Sequence, residues 1–198
     1  MKYREEQYAT TSGGLRPEVI DARLRLSKIY FRHGRDLRKG HLDCLEKAKS
    51  IQLELFNEMS KGSYTRDFDY QSRICEVQAA LARTYYAQKA TKEAVEMARK
   101  AHHGRMRLFG RYDLWTLRIE QDLAFCMVEN GQCHEAKRIF DGAKQRLREK
   151  LGSNHFEARE CEQKRRVFQT KLESCLAVTK APERQICRKS SVGEVGTG

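Results

Sequence analysis

The sequence predicts an all-α protein built as a stack of helix pairs, on three observations. The two prolines, Pro17 and Pro182, stand near the ends, so more than 160 residues pass without the strongest helix breaker. Residues 74–115 align without a gap on residues 116–157, a repeat of 42. Within that repeat, apolar and small residues recur at helical spacing, as in Ala136, Phe140 and Ala143 at i, i+4 and i+7.

In the alignment Leu81-Ala82 falls over Leu123-Ala124, Lys92-Glu93-Ala94 over His134-Glu135-Ala136, and Ala101 over Ala143. Phe109-Gly110 falls over Leu151-Gly152, and Leu114 over Phe156. A related unit precedes these two: Leu26-Ser27-x-x-Tyr30-x-x-x-Gly34 has the spacing of Leu123-Ala124-x-x-Met127-x-x-x-Gly131. Seven helices are expected, at about 17–34, 40–60, 69–88, 91–109, 113–130, 133–151 and 155–178. Small residues at Ala124, Ala136 and Ala143 let paired helices approach, Phe140 fills the space between them, and Gly131 takes the positive φ that ends a helix. A pair of this kind cannot bury its apolar face alone, so neighbouring pairs must stack. The last helix, with Phe168, Leu172, Cys175 and Leu176 at helical spacing, is expected to cap the open end. Residues 1–16 are expected to be a flexible N-terminus, 17–178 the repeat domain, and 179–198 a disordered polar tail.

The pattern Leu-small-x-x-aromatic, a turn, then Ala-x-x-x-Phe-x-x-Ala resembles a tetratricopeptide repeat (TPR), best in Leu123-Ala124, Gly131, Ala136, Phe140 and Ala143. The period of 42 exceeds the family's usual 34, and Leu151-Gly152-Ser153-Asn154-His155 is similar to the kinesin light chain type of repeat. The first unit departs in its longer inter-helix turn and an insertion around Lys61–Phe68, and Lys89 stands where glycine is preferred. The resemblance implies a right-handed superhelix of about three helix pairs plus the capping helix. It also implies a protein-binding scaffold or adaptor whose first helices line a concave groove. Carried over residue by residue, the groove residues are Lys28, Phe31 and Arg32, then Glu76, Arg83 and Tyr86, then Arg118, Gln121, Phe125 and Glu129. Arginines there could fork onto carboxylates, and Tyr86 and Phe125 could anchor an apolar side chain.

Some family roles are argued down. The clamp that grips a C-terminal carboxylate needs asparagine, and the three here (Asn57, Asn130, Asn154) are badly placed for it. No heptad segment of the kind that joins kinesin light chains to a motor precedes the repeats, and no nucleotide-binding module accompanies them. Both a free-standing adaptor and part of a larger protein fit the pattern.

Composition agrees with an extended soluble array: 39% hydrophobic and 33% charged residues, with a formal charge of +12 that favours acidic partners. The run Arg99–Arg111 concentrates it, with Arg99, Lys100, Arg105, Arg107 and Arg111 and no acid. Nucleic-acid binding, RNA above all, through that basic face is the alternative function, with Tyr112 and Trp115 nearby as possible stacking aromatics. MKYREEQYATTSGGLR lacks the apolar core of a signal peptide, and no run of apolar residues is long enough to span a bilayer. The seven cysteines are odd in number and scattered, which reads as reduced thiols in an intracellular, cytoplasmic protein, with the nucleus also open.

No catalytic residue, metal site or cofactor is expected. Cys133-His134 lies in a turn beside Gly131, adjacent residues on a helix point about 100° apart, and no C-x-x-C accompanies the pair. His102-His103 and His41-x-x-Cys44 lack further ligands, and no phosphate-binding, dinucleotide or hydrolase motif occurs. Cys44, Cys75 and Cys126 sit where apolar residues belong. Arg188-Lys189-Ser190-Ser191 has the make-up of a basophilic kinase target.

Overall fold

The computed structural model describes residues 15–36, 42–61 and 67–189, with side-chain surroundings through residue 177. The described residues form seven helices and no strand: α1 (Pro17–Asp36), α2 (Leu42–Lys61), α3 (Phe68–Ala87), α4 (Thr91–Phe109), α5 (Leu114–Glu129), α6 (Cys133–Leu151) and α7 (Phe156–Lys189). The all-α expectation holds, and most helix ends fall within two residues of those read from the repeat. The exception is α7, which runs to Lys189 past the boundary expected at 178. The helix continues through Pro182, which lacks an N–H and crowds the preceding turn, and Lys180, Glu183 and Arg184 around it are good helix formers. The expected flexible N-terminus through residue 14, the insertion at 62–66, His41, Ser190 and Ser191 lie outside the described residues.

Local sequence sets the helix ends. Asp67 and Asp113 are N-caps whose carboxylates accept from the amides of Tyr70 and Thr116, each at 2.9 Å. Burial pushes the Asp113 carboxyl up, but the bonds from Thr116 and Arg105 outweigh it and leave the pKa below the usual value. α3 and α5 both stop in the same two-bond turn: Ala90 N–H to Tyr85 O (3.0 Å) with Lys89 N–H to Tyr86 O (3.1 Å), and Gln132 N–H to Met127 O (2.8 Å) with Gly131 N–H to Val128 O (3.0 Å). The residue in the middle is left-handed in both, with φ of 81° at Gly131 and 63° at Lys89. Lys89 therefore carries a Cβ where the turn favours none. Lys89→Gly is expected to stabilise the chain by about 0.5–1 kcal/mol. Thermal unfolding should show this as a rise of about 1–4 °C, and an unchanged or lowered midpoint would count against strain at Lys89.

Successive helices pack as pairs α1–α2, α3–α4 and α5–α6, and each second helix also touches the first helix of the next unit. The first helices touch in turn, α1 with α3, α3 with α5, and α5 with α7. One face of the stack is thus built from first helices. α7 packs on α6 and α5 as α5 packs on α4 and α3, so the capping helix is the first helix of a fourth unit.

The repeat signature forms the core. Leu81, Leu123, Ala82, Ala124, Ala94, Ala136, Ala101 and Ala143 are buried. Gly104 of α4 lies so near α3 that a Cβ would stand 2.5 Å from Cys75 Sγ. Leu26, the first-unit counterpart of Leu81, is exposed instead, because no earlier described helix covers α1. The first two units meet over a buried polar chain in which Thr84 Oγ1 donates to Gln52 Oε1 (2.9 Å) and Gln52 Nε2 to Ser27 Oγ (3.3 Å). Every member has a partner, so the chain fixes register without an orphaned polar group. At the other end Phe140 of α6 stacks on Phe168 of α7 at 4.3 Å and 8°, and Phe125 of α5 meets both rings edge-on at 6.0 and 5.4 Å.

Candidate functional site

The face built from first helices holds two adjoining hollows. The first, about 200 Å³, is lined by Lys28, Phe31, Arg32 and Arg35 of α1, Gln52 of α2, and Ala80 and Arg83 of α3. The second, about 480 Å³, shares Arg35 and Arg83 and adds Glu76, Ala79, Trp115, Arg118, Ile119, Asp122, Glu160 and Lys164, with Arg105 reaching in from α4. Together they make a trough across α1, α3, α5 and α7. Ala79 and Ile119 give it an apolar floor with buried Ala101 behind them, and Trp115, 45% exposed, stands on its rim.

Seven cations and three carboxylates line the trough. Lys28 is held by Glu76 at 2.6 Å, Lys164 by Glu160 at 3.1 Å, and Arg105 by Asp113 at 3.2 Å and Ser72 at 2.9 Å. Arg118 is paired with Glu157 through both ends of its guanidinium and lies 5.4 Å from the centre of the Trp115 ring. Arg83 is less committed: its Nε donates to the carbonyl of Ala79 at 3.2 Å, and Asp122 stands 4.0 Å away. Arg32 has no carboxylate partner among the described residues. Asp122 opens partly to the trough, but protein surrounds it on the other sides, and that burial raises its carboxyl pKa against the pull of Arg83, Lys164 and Arg118.

Of the residues assigned to the groove from sequence, the structure gathers Lys28, Phe31, Arg32, Glu76, Arg83 and Arg118 around this trough. It places four elsewhere. Gln121 is 2% exposed and faces the interior. Phe125 belongs to the aromatic trio under α7. Tyr86 Oη donates to Glu129 Oε1 at 3.3 Å, and Lys171 of α7 bonds Glu129 and lies 5.6 Å from the Tyr86 ring centre. The bond from Lys171 outweighs burial and holds the Glu129 carboxyl below its usual value, and Glu129 in turn raises Lys171. α7 uses these three residues because it docks as a fourth first helix over the C-terminal end of α5. Arg35, Trp115, Asp122, Glu160 and Lys164 join the trough without having been assigned. The 42-residue offset carries Glu76 to Arg118 and Arg118 to Glu160, and the same shift carries Asp122 to Lys164.

The basic run is divided, with Arg99, Lys100 and Arg107 lining one hollow of about 520 Å³ beside Cys75 and His103. Arg99 forks onto Glu135 at 3.2 Å, Lys100 bonds Glu96 at 2.6 Å, Arg107 donates to Gln71 at 3.2 Å, and Arg111 sits 5.7 Å from the Tyr112 ring centre. Arg105 turns the other way, into the trough. His102 pairs with Glu120 at 2.9 Å, and no group of three metal-ligating side chains occurs among the described residues. No described helix is long and apolar enough to cross a membrane.

Cys133 corrects the reading of the cysteines as unpaired thiols. Its sulfur is bonded to Cys175 of α7, across a Cα–Cα distance of 6.5 Å. The docking of α7 brings the two together, while Cys44, Cys75, Cys126 and Cys161 are free.

Paired helices stacked so that every first helix contributes to one trough define a helical-repeat protein. Residues 76–113, from within α3 to the cap of α5, match the family model for the tetratricopeptide repeat. That stretch of the chain is a tetratricopeptide repeat. No curated protein matches the chain.

Proposed function

We propose that the chain is a protein-binding scaffold that holds an extended acidic segment of a partner along the trough between α1, α3, α5 and α7. The observation that carries this reading is the surplus of cations in a hollow with an apolar floor, above all Arg32 and Arg83, which no carboxylate holds closely. Planar guanidinium groups fork onto carboxylates, and a side chain laid against Ala79, Ile119 and Trp115 would supply the desolvated anchor. Residues 17–178 act as one binding unit in this reading, with α7 as its fourth wall.

The test is fluorescence anisotropy with a labelled twelve-residue peptide alternating glutamate and leucine, and with its lysine–leucine counterpart. The acidic peptide is expected to saturate the protein, the basic one to bind far more weakly, and Arg32→Glu and Arg83→Glu each to weaken binding about tenfold. Equal binding of both peptides, or indifference to both substitutions, would overturn the proposal. Nucleic-acid binding has less support, since Arg99, Lys100 and Arg105 of the basic run already face carboxylates. It predicts instead RNA binding that falls steeply with salt and weakens in Arg105→Glu/Arg107→Glu.

A further inference from the structure

Cys133 is the first residue of α6 and is 3% exposed, whereas Cys175 of α7 borders an open cleft of about 470 Å³ with Gly131, Thr170, Lys171 and Ser174. The two cysteines are 42 residues apart, one full repeat. They therefore occupy the same register position in successive units. Thr91 holds that position one unit earlier, and its hydroxyl donates to Asn130 Oδ1 at 3.2 Å, beside the Cys133 turn.

Three cysteines elsewhere in the core are unsuited to exchange. Burial raises the thiols of Cys75 and Cys161, and pushes Cys126 up to about 12, so little thiolate forms at neutral pH. Cys75 also borders an open hollow, so what sets Cys175 apart is a second cysteine bonded to it beside a cleft that a small thiol can enter. The bond lies one turn beyond Lys171, which grips Glu129, and two turns beyond Phe168, which stacks on Phe140. Toward its N-terminus the same helix carries Glu160 and Lys164 into the trough.

We propose that Cys133 and Cys175 form a reversible thiol–disulfide site, exchanging with thiols of the glutathione class, whose oxidised form locks α7 against the last repeat and so steadies the fourth wall of the trough. On oxidation, one cysteine thiolate attacks glutathione disulfide, forming a mixed disulfide and releasing one glutathione thiolate. The second cysteine thiolate then displaces the other, and the two cysteine protons end on the two glutathiones. Reduction by two glutathiones runs the same steps backwards. The site goes beyond the binding proposal and does not depend on the partner's identity.

The test uses the full chain equilibrated across a series of reduced-to-oxidised glutathione ratios, trapped by alkylation, digested without reductant and mapped by mass spectrometry. Hydrogen exchange over residues 160–177 is followed in both states. A Cys133–Cys175 linkage is expected that forms at oxidising ratios and disappears at reducing ones. Amide exchange in α7 should slow by about tenfold or more on oxidation. Cys175→Ser should remove both effects, and Cys126→Ser neither. A linkage through other cysteines, none at any ratio, one that survives reducing ratios, or equal exchange in the two states would overturn the proposal.

Discussion

Replacing Phe140 by alanine is expected to lower the unfolding free energy by about 3–5 kcal/mol, the usual cost of removing a fully buried phenylalanine. The upper half of that range is favoured by its neighbours. Phe140 lies flat on Phe168 at 4.3 Å and meets Phe125 edge-on at 6.0 Å, contacts that add to simple burial. On its own helix face stand Ala136 and Ala143, both too small to swing into the space. The cavity would open at the junction of α5, α6 and α7, so the last helix should come loose before the rest of the stack, as expected where each unit contacts only its neighbours. Urea unfolding under reducing conditions, followed by helical circular dichroism, measures the loss. Phe168→Ala is the companion variant: it removes the same stack from the α7 side and should free α7 while costing the first two units little. A Phe140→Ala loss below about 1 kcal/mol would mean that the trio does not hold the end of the stack.

The aromatic trio also marks how far the sequence could be read. The repeat of 42 placed Phe140, Ala136 and Ala143 correctly because periodicity reports which face of a helix is apolar, and Gly131 because the turn there needs a positive φ. Periodicity placed Phe168 on the last helix as well. What periodicity could not report is which exposed-looking positions a later helix covers. Tyr86, Phe125 and Glu129 occupy the register of groove residues in their own units, yet α7 lies over them, with Lys171 and Phe168 as the contacts. Treating α7 as a cap rather than as a fourth first helix hid this, although the offset was already visible in Cys133 and Cys175, and in Glu129 and Lys171, each 42 apart. The basic run is divided for a different reason. Its cations are adjacent in sequence, but helix geometry turns Arg105 into the trough while Arg99, Lys100 and Arg107 share another hollow, and Glu96, Glu135 and Asp113 each pair with one of them.

Glu120→Ala is expected to cost about 3 kcal/mol, several times the effect of the equivalent change one repeat later. Glu120 bonds His102 of α4 at 2.9 Å and also pairs with Arg146 of α6, and its side chain is only 8% exposed. One repeat on, Glu162 pairs with Lys144 at 3.1 Å, so the contact between second and first helices recurs with the period of 42. Glu162 is 35% exposed, however, and water screens it. Losing that pair should cost less than about 1 kcal/mol. At Glu120 the loss is larger because Arg146 would be left largely buried without its counter-charge, and its Nε already lacks a hydrogen-bond partner. Glu120→Gln, which keeps the shape and part of the hydrogen bonding, should fall between wild type and Glu120→Ala. The double change Glu120→Met/Arg146→Met should recover most of the loss, since no charge is then stranded. Urea unfolding of the set separates the effects. If Glu120→Ala proved no costlier than Glu162→Ala, water would have to reach the Glu120 cluster as freely as its counterpart, and burial would not be what distinguishes the two repeats.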